Sequence, residues 1–231
     1  MARGAAPSTP CFRIDMLPAR EGDCLWIEYG DPARPRRILI DGGRKSAYAE
    51  LKRRFADLPR AQRAFELLIL SHVDADHIEG LLELAADPQL AVTFKDVWFN
   101  GEQHLVKPES YGAFQGDRFS AQIIARGWSW NRKFRGRSVV IPDSGILPVK
   151  TLAGGMTLTL LSPNWNKLES LVPVWKLEIE KARLAGRIAR RDVDPPKLES
   201  YGPLTVREVE VAATSLFEPD PSKANGSSIC V

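Results

Sequence analysis

Four side chains of metal-ligand type fall within six consecutive positions: His72, Asp74, Asp76 and His77. They follow a short apolar run, Leu67 to Leu70, and precede a stretch with helical spacing at Leu81, Leu82 and Leu84. An apolar run of that length before polar residues reads as a buried strand opening into a loop. The spacing predicts a helix over Ile78–Ala86, stopped by Asp87-Pro88. Alternate residues of an extended segment point the same way. His72 and Asp74 are therefore expected to share one ion, while Asp76 and His77 turn toward a neighbouring position. Imidazole with carboxylate suits Zn, Mn or Fe better than Ca or Mg. An isolated Asp or His before a helix is ordinarily a cap; four ligand-type residues packed after a buried strand exceed what capping needs.

The rest of the chain reads as a layered α/β pattern. Phe12–Leu17 and Cys24–Tyr29 alternate apolar and polar residues as half-buried strands, with Gly22-Asp23 as the turn between them. A third strand, Ile38–Ile40, ends in Asp41-Gly42-Gly43, where glycine lets the backbone bend sharply. Tyr48–Leu58 has helix spacing, and Val97–Phe99 is a further strand. A helix over Phe119–Ala125, strands at Val139–Ile141 and Met156–Leu161, and a long helix over Leu168–Ala189 with a basic end complete the expected elements. Residues 1–10 read as a frayed tail, and 192–226, rich in Pro and charge, as a mobile insertion or processing loop. His104 lies just past a strand end; it reads first as a surface histidine, with a site-rim contact or a direct ligand as alternatives.

Arg126–Arg137 holds five basic residues and three aromatic ones with no acid. Arg126, Trp128, Trp130, Arg132, Lys133, Arg135 and Arg137 are thus candidates to hold phosphates and stack on the bases of DNA or RNA; the alternative is that the tryptophans pack beneath a loop. The overall charge adds little, because +3 on 231 residues is too small to argue for nucleic acid. No apolar stretch reaches the ~18 residues of a membrane span, and the first ten residues lack the apolar segment of a secretory signal. Three cysteines without a Cys-x-x-Cys pair point to a reducing, cytoplasmic setting and free thiols, with a Cys ligand as a minor alternative.

His-Val-Asp-Ala-Asp-His, residues 72–77, resembles the metallo-β-lactamase superfamily signature His-x-His-x-Asp-His, in the variant with Asp at the second ligand position that is typical of competence-type DNA-uptake hydrolases. Arg37–Gly43 resembles the family's earlier strand ending in Asp-Gly-Gly, and Gly22-Asp23-Cys24-Leu25 its turn on the first hairpin. The resemblance implies an αββα sandwich made of two similar halves. It also implies two divalent ions, Zn or Mn, that activate water, with His72 and Asp74 on one and Asp76 and His77 on the other. Asp76 would additionally orient or deprotonate the nucleophile, and Asp41 would support the ligands from behind unless it is an ordinary turn residue.

In the resembling branch further ligands follow in the second half, and no histidine lies beyond His104 here. Residues 11–191 are therefore expected to form the N-terminal part of the fold and 227–231 the start of a strand continuing into the second. The C-terminal half would then be a separate chain, after a cut by a processing protease within 192–226; the alternative is a degenerate, non-catalytic form. The expected activity is phosphodiester hydrolysis, inactive until the site is completed. Hydrolysis of a small ester or lactam, and a non-catalytic binding or regulatory module, are the rival expectations.

Overall fold

The run from Leu67 lies at the centre of the molecule because it is apolar on both faces. In the computed structural model, which describes residues 9–19, 22–105, 118–173 and 227–231, β1 (Cys11–Met16), β2 (Leu25–Gly30) and β3 (Arg36–Ile40) form an antiparallel meander. Helix α1 (Tyr48–Ala56) and the short β4 (Ala64–Phe65) lead into β5 (Leu67–Ile69), which lies parallel to β3. Helix α2 (Ala75–Ala86) and β6 (Thr93–Phe94) then lead to β7 (Val97–Trp98), parallel to β5. The result is a mixed five-stranded sheet in the order β1-β2-β3-β5-β7. Helix α3 (Arg118–Ala125) and a hairpin of β8 (Val149–Thr151) and β9 (Thr157–Thr159) follow, and residues 165–173 are helical.

Strand alternation sends the two faces of this sheet into two cores. Trp26, Leu39 and Leu68 face α1 and α2, whose buried residues include Leu51, Phe55, Leu81 and Leu84. Trp26, Phe55 and Phe65 meet there with ring centroids 4.8–5.1 Å apart, and each such pair adds roughly 0.5–1.5 kcal/mol to simple burial. Ile27, Ile38, Leu67, Ile69 and Trp98 face the opposite side, where Leu152, Leu160 and Ile229 cover them. The chain is therefore a mixed α/β fold in which helices lie on one face of the sheet and a small β layer on the other. That layer is narrower than the sheet. Phe12, Ile14 and Met16, in register with the buried Tyr29 and Ile27 and with Leu25, remain 64, 50 and 77 % exposed.

Two expected elements differ. Helix α2 starts at Ala75 rather than Ile78, because Asp74 is extended and its carbonyl already accepts from the His77 and Ile78 amides. Asp76 and His77 thus lie in the first helical turn. Val139–Ile141 is not a strand: the Asn100 side chain engages both the N–H and the C=O of Val139 (2.8 and 2.9 Å), and Ile141 makes one bridge to Asn164. The tail over residues 1–8, the last helix beyond residue 173 and the 192–226 insertion lie outside the described residues.

Candidate metal centre

The site begins with a backbone-on-backbone contact. Gly42 N–H donates to the His77 carbonyl and Gly80 N–H to the Gly43 carbonyl, both at 2.9 Å. These bonds seat the first turn of α2 on the chain leaving β3. Only glycine permits the approach: a Cβ at Gly80 would lie 1.9 Å from the Gly42 oxygen, and one at Gly22 2.0 Å from the Asp76 oxygen. The β1–β2 turn and the end of β3 thereby hold Asp76 and His77 from two sides.

Asp41 is the buried hub. It is a non-glycine residue in the left-handed region (φ 57°), a conformation Asp tolerates better than most. One carboxylate oxygen accepts the Ser71 N–H at 2.7 Å; the other accepts the Ser71 hydroxyl at 2.6 Å and His77 Nδ1–H at 2.9 Å. A carboxylate accepts only, so Nδ1 of His77 carries the proton and Nε2 faces outward. Burial disfavours charge on His77, but the hydrogen bond and charge of Asp41, together with Asp76 and Asp23, outweigh it and hold its pKa above the usual value. His72 moves the other way: burial and then the His77 imidazole depress it, against the opposing pull of Asp74, Asp41 and Asp76.

The four sequence candidates come together as two pairs. His72 Nε2 lies 3.7 Å from Asp74 Oδ2, and His77 Nε2 lies 3.6 Å from Asp76 Oδ2. The two imidazole centroids are 3.9 Å apart. His77 Nε2 faces the Asp76 oxygen, and a proton on that nitrogen, which the raised pKa favours, or a metal ion would each satisfy the pair. Ligands at 2.0–2.2 Å from one tetrahedral ion stand roughly 3.4 Å apart, so both pairs fit a metal with small adjustment.

Asp23, a turn residue by its sequence context, also reaches this cluster. Asp23, Asp41 and His77 offer ligand atoms within 4.8 Å of one another. Asp41 already accepts three hydrogen bonds from Ser71 and His77, so Asp23, which is exposed, is the more available member. Its place in the Gly22-Asp23 turn, over the start of α2, was the available signal. Burial, then Asp41 and Asp23, push the Cys24 thiol up to about 12, so the metal-free protein holds it as an unreactive thiol. Alkylation of the native protein is accordingly expected to modify Cys11 and Cys230 but spare Cys24 until the chain unfolds, as peptide mass mapping will show.

Beside His72 a shallow pocket is lined by Val73, Phe99, Leu168 and Leu171, with Ser71, Asn100 and Ser227 as its polar members.

The Arg126–Arg137 stretch does not form a stacking platform. Trp128 is 6 % exposed, packed edge-on to Phe94 and covered by the Arg126 guanidinium. Trp130 is stacked on Phe99 and donates Nε1–H to the Phe99 carbonyl at 2.8 Å. Their apolar area is worth more inside than displayed to solvent. Buried Asp96 accepts the backbone amides of Arg132 and Lys133, anchoring this loop. Arg132, Lys133, Arg135 and Arg137 remain exposed, and only this cationic part of the expected nucleic-acid contact keeps its geometry. His104 is likewise no surface residue. It is buried edge-on against Trp130, with ring centroids 4.7 Å apart.

No family model matches this chain, and neither a curated protein nor a solved structure does. Among the described residues no helix is long and apolar enough to cross a membrane.

Proposed function

We propose that this chain is a metal-dependent hydrolase of the metallo-β-lactamase type, built on the first half of an αββα sandwich. The observation that carries this reading is the pairing of His72 with Asp74 and His77 with Asp76 around two adjacent imidazoles, with Asp41 holding one imidazole from behind. The helix–sheet–β-layer order supports the same fold. Divalent ions at the two positions would bring the pKa of water down to roughly 7 and stabilise charge on an attacked oxygen. The chain's own residues set the conditions for this. Asp41 orients His77, and the first turn of α2 directs Asp76 into the site, where it can orient a water or take its proton.

A phosphodiester is the proposed substrate, DNA or RNA foremost, with Arg132, Lys133, Arg135 and Arg137 as a cationic approach surface. The exposed apolar face of β1 supports a partner layer, in this reading the second half of the fold, that would cover Phe12, Ile14 and Met16 and add ligands. The test is zinc or manganese binding followed by cleavage of single- and double-stranded DNA by the protein reassembled with that half. An Asp76→Ala/His77→Ala variant is expected to lose metal at one position and at least a hundredfold in rate. Equal cleavage by the variant would refute the assignment. A rival reading, hydrolysis of a small ester or lactam, gains nothing from the pocket beside His72, whose cavity of about 10 Å³ holds no more than a water. Substrate binding that does not weaken with salt would select it.

A further inference from the structure

We infer that the hydroxyls of Ser71 and Ser228 are positioning groups that fix the tautomer of His72, and that Ser71 does so as a relay from Asp41. The inference rests on reading His72 as a metal-binding residue. The Ser71 hydroxyl lies 2.6 Å from Asp41 Oδ2 and 2.9 Å from His72 Nδ1. It has one proton. The Asp41 oxygen can only accept, so that proton points to Asp41 and the hydroxyl turns a lone pair toward His72. Nδ1 of His72 must then be the N–H. Ser228 Oγ stands 3.1 Å from the same nitrogen and accepts from it as a second partner. The lone pair of His72 is thereby assigned to Nε2, the nitrogen that faces Asp74. His77 reaches the same state by direct contact with Asp41. One carboxylate thus presents both imidazoles through Nε2, one directly and one through a serine.

Ser228 comes from 156 positions away, and its placement is built. Ile229 N–H donates to the Ser71 carbonyl at 2.9 Å, Cys230 bridges Ser162, and the Ile229 side chain is buried in the second core. The segment therefore bonds to the backbone of the relay residue itself while its serine touches His72. A hydroxyl fixed on both flanks holds the ring at little further cost in side-chain entropy.

The experiment uses the full chain, free of metal, with nitrogen-15 in its histidines. Long-range proton–nitrogen spectra at neutral pH are expected to show His72 protonated at Nδ1. In Ser71→Ala/Ser228→Ala that signal should shift toward the Nε2–H form while the His77 pattern, held by Asp41, stays. Zinc affinity, read by competition with a chelating dye, should fall about 10–100-fold and recover in the corresponding Ser→Thr variants. Ser228→Ala alone keeps the test open if the double variant does not fold, with a smaller shift in the same direction expected. A wild-type His72 already protonated at Nε2, or an unchanged His72 pattern in the variants, overturns the inference. Wild-type protein that binds no zinc removes the metal reading instead, and the spectra still decide the tautomer.

Discussion

Replacing Gly80 with alanine is expected to unseat α2 and abolish metal binding, although alanine is the better helix former. In an exposed helix the change would stabilise by about 1 kcal/mol. Here the added Cβ would lie 1.9 Å from the Gly42 carbonyl oxygen, and the obstacle is backbone rather than a movable side chain. Either α2 moves outward or the chain after β3 moves down. Both routes break the Gly80–Gly43 and Gly42–His77 backbone bonds that seat the helix. Overpacking of this kind costs about 3 kcal/mol or more, which for a chain of this size lowers the unfolding midpoint by roughly 6–12 °C. The same displacement carries His77 away from Asp41, and Asp76 and His77 together away from His72. Denaturant unfolding and zinc titration of the variant check both parts. Unchanged stability with unchanged zinc binding would show that the helix does not rest on this contact.

Acid is expected to destabilise the fold through His104, and the effect should vanish in His104→Gln. Burial depresses the His104 pKa to about 4, while the Gly136 carbonyl, accepting from one ring nitrogen, only partly offsets it. The other ring nitrogen, Nδ1, is buried without a hydrogen-bond partner. The sign follows from proton linkage. Between about 6.5, the unfolded value, and about 4, the unfolded chain holds a proton that the folded chain refuses. Stability contributed by neutral His104 is complete above about 6.5, falls as the pH drops through that window, and stops falling near 4. At about 1.4 kcal/mol per pH unit, the loss across it is about 3 kcal/mol. His72 adds to this trend and His77 opposes it, so the quantity to measure is the difference between wild type and His104→Gln across the window. Parallel stability curves for the two proteins would overturn the assignment.

Trp128 and His104 are buried by contacts that their neighbours in sequence do not encode. Basic and aromatic residues alternate between 126 and 137, and nothing in that order says which side of the loop faces inward. Phe94, Phe99 and Asp96, some thirty positions upstream, decide it by covering the rings and capping the loop amides. Val139–Ile141 fails as a strand for a similar reason, since the Asn100 carboxamide serves as its hydrogen-bonding partner.

The main strands and helices through β7, the central position of Leu67–Leu70 and the clustering of His72, Asp74, Asp76 and His77 were legible in the sequence alone, because each is a matter of short-range spacing and apolar period; β8 was not. The protonation of each imidazole was not. It depends on Asp41, which reaches Ser71 and His77 only because β3 and β5 pair in parallel and end together, and on Ser228, which arrives from the far end of the described chain. Spacing along the chain can bring ligand types together; which nitrogen lone pair faces the site is set by hydrogen bonds across the sheet, and those exist only in the folded protein.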